Sequence, residues 1–196
     1  MFGVAGVALR GVRRFRVGPG DRVWIAGQGL IGQFAGQAAR AVGAHVTVTD
    51  INPTRLASAE ECGAHRIINA RDATAVAQLK EGGKYNCIID ASGYPPLLME
   101  IYDADLLAYR GVVGLLAVRT ETVFNWAMMH TREASIEVSC HFSLDQLRVL
   151  QHFLQQGLLR VRPLITHQVS IDDAIGIYEL LRDRPADLLG VVFDWR

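Results

Sequence analysis

The sequence predicts an α/β protein: a Rossmann doubly wound parallel sheet of six strands with helices on both faces, followed by a short helix-strand extension. Three observations carry the prediction. Short β-branched apolar runs alternate with helical patterns along most of the chain. The run Val23–Ala26 turns directly into glycines at Gly27, Gly29 and Gly32. A strand later, the run "AHVTVTD" ends on an acid, Asp50.

The elements follow in order. "DRVWIAG" reads as the first strand. From Leu30 to Val42 the residues Ile31, Phe34, Ala38 and Val42 mark one apolar helical face, and the alanines and glycines between them let a helix approach a sheet closely. "AHVTVTD" is the second strand. Asn52 is an N-cap, Pro53 a first helical residue and Gly63 the stop of the next helix. "RIINA" is a third strand, and a weaker helix spans about Asp72 to Lys80. "YNCIIDASG" is a strand apolar enough to be covered on both faces. A helix over about Pro96 to Leu107 and the strand "GVVGLLAV" complete a βαβ series, whose right-handed crossovers leave few topologies. The same rhythm then predicts a helix in "NWAMMHTRE", a strand in "SIEVSCHF", a helix in "SLDQLRVLQHFLQQG", a helix after Ser170 and a last strand "LLGVVFDW". We divide the chain into a nucleotide-binding unit, 1–165, and a tail, 166–196.

Composition narrows the function. Half the residues are apolar, a fifth are charged, and the formal net charge is zero. Such a chain has a sizeable core and no basic face for a nucleic-acid backbone. Its apolar runs are too short to span a bilayer. Cys62, Cys87 and Cys140 are odd in number and widely spaced, so neither a disulfide framework nor a structural zinc is expected. A reduced, cytoplasmic setting is the expectation.

The glycine turn leaves a predicted strand and opens a predicted helix, the setting in which Gly-x-Gly-x-x-Gly holds a diphosphate. Gly27 permits the tight turn, Gly29 the approach of the phosphate and Gly32 the packing of helix on strand. Asp50 stands where an acid accepts the hydroxyls of an adenosine ribose. It would repel a 2′-phosphate, so NAD is expected over NADP. Ile51 follows it, and Arg55 lies within reach of the same ribose. S-adenosylmethionine sites share the strand, the glycine turn and the acid, so these features alone leave two ligand classes open.

The longer pattern separates them. Pro19-Gly20-Asp21, the glycine turn, Gly43-Ala44, Asp50, Arg55-Leu56 and Gly63-Ala64 resemble the coenzyme domain of the medium-chain dehydrogenase/reductase family nearly residue for residue. The likeness continues through "YNCIIDASG", "GLLAV" and "GLLRVRPLITHQVSIDDAIGIYELLRD", and the turn itself looks more like the zinc-type alcohol and polyol dehydrogenases than the zinc-free quinone reductases. The resemblance implies a coenzyme site at Gly27, Gly29, Leu30, Ile31, Gly32, Asp50, Ile51, Arg55, Ala91, Ser92, Gly93, Leu115 and Leu116. It implies a homodimer formed by pairing of the edge strand Ser135–Phe142. That stretch alternates polar and apolar side chains and carries little charge to blunt an edge; the alternative is an edge covered by the chain's own tail, "LLGVVFDW".

Family members carry the zinc ligands in a catalytic domain upstream. No Cys and Gly-His-Glu set is found here, so no catalytic and no metal residue is assigned. The opening "MFGVAGVALRGVRRFRVGPG" resembles the helix that crosses between the two domains, cut at its beginning. Two classes of function stand: the coenzyme half of an NAD-dependent dehydrogenase, catalytically incomplete as this chain, and a standalone NAD(H)-binding or dimerisation module.

Overall fold

A computed structural model describes every residue from Met1 to Arg196. Eight helices and eight strands alternate. They are α1 (Phe2–Arg14), β1 (Arg22–Ala26), α2 (Leu30–Ala41), β2 (His45–Asp50), α3 (Pro53–Glu61), β3 (Arg66–Asn69), α4 (Ala75–Glu81) and β4 (Tyr85–Asp90). The chain continues through α5 (Leu97–Asp103), β5 (Leu107–Leu115), α6 (Trp126–Arg132), β6 (Ser135–Val138) and α7 (Leu144–Gln155). It ends with β7 (His167–Ser170), α8 (Ala174–Asp183) and β8 (Val191–Asp194).

The first six strands form one parallel sheet in the order β3-β2-β1-β4-β5-β6. The chain starts in the middle of this sheet, winds outward through β2 and β3, then crosses back to build β4, β5 and β6. The reversal leaves a crevice at the carboxyl ends of β1 and β4. Register makes those ends level: Ala26 pairs with both Thr49 and Asp90, and Asp90 pairs with Leu115.

Both sheet faces are covered, which is why the strands read as nearly continuous apolar runs. Along β1, Val23 and Ile25 join a core with Leu9 and Val12 of α1 and Phe34 of α2. Trp24 and Ala26 join the opposite core with Tyr85, Ile88, Leu98 and Met128. No helix is long and apolar enough to cross a membrane.

Several boundaries differ from the sequence reading. The helix expected to reach Leu107 stops at Asp103. Asp105 takes a left-handed φ of 55°, and the amide of Tyr85 then bonds the Leu106 carbonyl, which draws the following residues into β5. Strand β5 therefore starts earlier than expected and ends at Leu115. Beyond it the amides of Leu116 and Ala117 both turn onto the Asp90 carbonyl. The helix placed at Asp72–Lys80 runs from Ala75 to Glu81. The edge strand expected through Phe142 stops at Val138. His141 has a φ of 58°, and Phe142 folds back so closely on Gly6 that a Cβ there would lie 2.9 Å from its ring. Ser170 caps a 3-10 turn at Ile171–Asp173, by accepting from the Asp172 amide, and α8 begins only at Ala174. Strand β7 was not expected at all. It pairs in parallel with β8, so the last strand covers β7 and leaves β6 with β5 as its one neighbour.

Candidate functional site

The three glycines of the turn serve different needs. Gly27 has a φ of 92°, and a Cβ there would lie 2.7 Å from the Ser92 backbone. A Cβ on Gly32 would lie 1.9 Å from the Gly27 carbonyl oxygen. Those two are required by the chain's own packing. Gly29 is not: its φ is −66°, and nothing lies within 4 Å of where its Cβ would be. The space it leaves faces away from the protein, which is where an approaching ligand backbone needs room.

Gly29 is also the N-cap of α2, with no side chain to satisfy the helix. The first helical amide to find an acceptor is that of Gln33, on the Gly29 carbonyl at 2.9 Å. The amides of Leu30, Ile31 and Gly32 have no acceptor in the chain. Three free donors at the positive end of a twelve-residue helix suit an anion.

Asp50 ends β2 with its carboxylate buried beside this turn. One oxygen accepts the Gln28 amide at 2.6 Å and the other the Asn52 amide at 2.8 Å. An ionised carboxylate offers about four acceptor positions. Two therefore remain for hydroxyls. Asp50, Ile51, Gly27 and Gly29 line one wall of a cavity of about 600 Å³; Ala91, Ser92 and Gly93, which follow β4, line another, and Trp24 is among the remaining lining residues. The structure thus gathers eight of the expected site residues around one space, Arg55 being the eighth.

Leu30 and Ile31 open instead onto a second cavity of about 610 Å³, shared with Tyr178 and Leu181 of α8 and with Phe193 of β8. Gly29, Arg55 and Ala91 border both cavities and so mark their junction. Leu115 and Leu116 line neither. Leu115 packs into the α5–α6 core, and Leu116 into the α1–α2 core. Gly32 lies inside the turn.

Arg55 borders the cavity and is also tied to the tail. Its Nη2 donates to the carbonyls of Pro185 at 3.2 Å and Leu188 at 3.5 Å. Asn52 caps α3 by accepting from Thr54 and Arg55, and donates its Nδ2 to the Ala186 carbonyl at 2.8 Å. The first turn of α3 is therefore tied to the segment between α8 and β8.

Sequence reasoning missed Asp90 and Arg119. Asp90 ends β4 and is fully buried. Its Oδ1 accepts from the Ser92 amide at 3.0 Å, the Ser92 hydroxyl at 2.9 Å and the Gly93 amide at 3.0 Å; its Oδ2 is ion-paired with Arg119. An acid closing an otherwise apolar strand just before Ala-Ser-Gly was the available signal for the turn. No signal pointed to Arg119.

Seven buried polar side-chain atoms find no partner, and all belong to residues at the carboxyl edge of the sheet or the first helical turns beside it. Gln28 Oε1, Gln33 Oε1 and Arg55 Nε flank β1 and β2. Arg119 Nε and Nη1, Thr122 Oγ1 and Ser139 Oγ flank β5 and β6. Buried polar groups are normally paired, so unspent hydrogen-bonding capacity confined to one edge makes that edge the candidate binding face.

The histidines and cysteines lie elsewhere. His45 and His65 stack 4.4 Å apart at the amino end of β2 and β3, and His65 Nδ1 accepts from the Val46 amide at 3.0 Å. Burial, then the neighbouring His45 and Arg40, lowers the His65 pKa. Burial pushes the Cys62 thiol up to about 11 and raises Cys87 further, which keeps both protonated. No three His, Cys, Asp or Glu side chains come together as a metal-ligand group.

Comparison with known proteins agrees with this fold. The sequence profile of the family described as zinc-binding dehydrogenase matches residues 31–156, well over half the chain. An alcohol dehydrogenase of Rhizobium meliloti is 34% identical over 117 residues, covering 58% of this chain and 34% of that protein. An L-threonine 3-dehydrogenase of Mesorhizobium japonicum is 28% identical over 183 residues, covering 90% of this chain and 52% of its own length. Among solved structures, 2R,3R-butanediol dehydrogenase from Bacillus subtilis superposes with a TM-score of 0.88 at 20% identity, over all of this chain and 56% of that one. A short chain alcohol dehydrogenase from E. coli CFT073, complexed with cofactor NADH, superposes with a TM-score of 0.87 at 23% identity, over all of this chain and 58% of that one. The chain thus spans about half the length of most of these relatives.

Proposed function

This chain belongs to the zinc-binding dehydrogenase family, and we propose that within it the chain is the part that holds the coenzyme, NAD(H) in preference to NADP(H). One observation carries the reading: Gly29, which leaves the start of α2 uncapped, and the buried Asp50 carboxylate border the same cavity. The free amides of Leu30, Ile31 and Gly32 suit the diphosphate. The unused lone pairs of Asp50 suit the two hydroxyls of an adenosine ribose. A 2′-phosphate would bring a second anion against the Asp50 carboxylate.

Bound there, the coenzyme supplies a hydride acceptor or donor for an alcohol–carbonyl couple. The chain's own residues bind and orient it. Gly27 and Gly32 set the turn, the Gln28 amide fixes the Asp50 rotamer, and Asp90 shapes the Ser92–Gly93 turn across the crevice. In this reading the whole protein is an alcohol- or polyol-oxidising enzyme. The polarising metal comes from residues outside this chain, and segment 166–196 leads back towards them. Turnover of an alcohol by this chain alone is not expected.

A homodimer through β6 belongs to the same proposal. The outer edge of β6 has no strand partner, and Val138 on it is 60% exposed. Titrating the chain with NADH and NADPH by calorimetry tests the coenzyme reading. Tighter NADH binding is expected, and equal or tighter NADPH binding overturns the reading.

A further inference from the structure

The strand order divides the carboxyl edge into two halves, β3-β2-β1 and β4-β5-β6. A dinucleotide laid across the crevice puts one nucleoside over each half, with the diphosphate between them at the α2 N-terminus. Asp50 serves the first half. The reading above leaves the second without a recognition group.

Arg119 stands on that second half. It lies four residues beyond β5 and pairs with Asp90 at the end of β4, so its guanidinium bridges the two strand ends. Asp90 cannot use all of it. Oδ1 is filled by three donors from Ser92 and Gly93, and only Nη2 of the guanidinium reaches Oδ2. Nε and Nη1 are buried with no acceptor. Burying such donors without partners is costly, so an edge that retains two of them is built for an acceptor from outside.

The charge balance says which acceptor. Asp90 already neutralises Arg119, so the pair offers N–H groups without net positive charge. That combination favours an uncharged oxygen, such as an amide carbonyl or a sugar hydroxyl, over a phosphate or a second carboxylate. We propose that Arg119 recognises the second nucleoside of the coenzyme, donating Nε–H or Nη1–H to an uncharged oxygen of it while Asp90 holds the guanidinium in place. The proposal rests on the coenzyme reading above.

The surrounding chain can accommodate such a contact. Arg119 sits in residues 116–125, ten residues without helix or strand between β5 and α6. Binding residues are disproportionately carried on surface loops held by a rigid scaffold. Val118 is 98% exposed and Val123 70% exposed, so this loop has little packing of its own to lose. Because Nε and Nη1 are shielded in the free chain, the contact requires the loop to shift as the ligand enters.

Comparing NADH with ADP, which lacks the whole second nucleoside, tests the proposal on the full chain by calorimetry. The informative variant is Arg119→Lys. It keeps a cation for Asp90 and loses the planar fork with its extra donors. We expect it to melt close to the unaltered chain, to bind NADH about tenfold more weakly, as the loss of one hydrogen bond predicts, and to bind ADP unchanged. Arg119→Met, which also leaves Asp90 unpaired, should lower the melting temperature and serves to calibrate any loss of fold. Unchanged NADH affinity in Arg119→Lys overturns the proposal. So does an equal loss of NADH and ADP, which would mark a role in the fold alone. An unaltered chain that binds ADP as tightly as NADH overturns it while the coenzyme reading stands. A chain that binds neither removes both.

Discussion

The Asp50 carboxylate accepts the Gln28 amide at 2.6 Å, so the acid that ends β2 and the glycine turn that follows β1 form one unit. The bond spans 22 residues of sequence and lies out of solvent. It keeps the turn in place and points the carboxylate at the space beside Gly29. Binding and folding therefore share this side chain, and its substitution should register in both.

Asp50→Ala removes the acceptor of two backbone amides as well as that of a ribose. Hydrogen bonds to a charged group contribute about 1.5–3 kcal/mol each, so NADH affinity should fall by at least about tenfold, and the preference over NADPH should narrow. Stability should drop as well, since the Gln28 amide is left buried without a partner. Calorimetric titration and urea denaturation on the same preparations separate the two effects.

The glycines predict opposite outcomes for the same substitution. Gly32→Ala drives a Cβ to within 1.9 Å of a backbone oxygen, which cannot swing aside as a side chain would. Overpacking of this kind costs about 1–3 kcal/mol, and the chain should melt lower by the upper end of that range. Gly29→Ala meets open space at an ordinary φ of −66°. Its poorer capping is offset by the lower entropy of its unfolded state, so the melt should barely move. NADH binding should nevertheless weaken, because the methyl group enters the approach to the α2 amides. An unchanged affinity in Gly29→Ala would count against a diphosphate at that turn.

Acid should loosen the amino end of the sheet. His65 holds the Val46 amide on an unprotonated Nδ1, and burial lowers its folded pKa below the ordinary value of 6.5. The unfolded chain thus binds the proton more readily, and stability rises with pH across that interval. The His65 contribution is complete above about pH 6.5 and declines as the pH falls through the lower folded value. Denaturation midpoints measured from pH 7.5 to pH 5 should show this decline, with a shallower slope in His65→Gln.

Self-association should depend on β6. The Ser139 amide donates to the Leu115 carbonyl at 3.3 Å, so the preceding amide, that of Val138, points towards the open edge. Val138→Pro removes that outward donor and leaves the β5 ladder intact. We expect a dimer that shifts towards monomer in sedimentation velocity. The shortness of β6, four residues, makes the contact small and concentration-dependent. A chain that stays monomeric at high concentration would refute the pairing.

Zinc analysis after chelation, together with turnover assays on a panel of alcohols, tests the proposal that the metal and the polarising groups lie outside this chain. Tightly held stoichiometric zinc with turnover would show a ligand set within it.

Much of the molecule is dictated locally, and that part was legible in the sequence. Gly27 must have a positive φ and Gly32 must lack a Cβ because of atoms a few residues away or across one strand pair, so a three-glycine pattern after a strand carries its own geometry. Asp50 follows from counting one βα unit further along. The parallel sheet follows from apolar runs covered on both faces.

What the tertiary structure decided has a different origin: it depends on which residues meet across long separations. Arg55 spends its guanidinium on carbonyls 130 and 133 residues away, a meeting no local pattern announces. Arg119 reaches Asp90 across 29 residues and two strand ends, and a lone arginine in a loop reads as solvated charge until that partner is placed. The same holds for β5, which starts at Leu107 because β4 offers it a neighbour, although apolar residues there fit a helix equally well. Strand β7 exists only because β8, more than twenty residues later, returns to pair with it. Local conformational preference specified the turn and the acid; hydrogen-bond partners distant in sequence specified what lines the rest of the crevice.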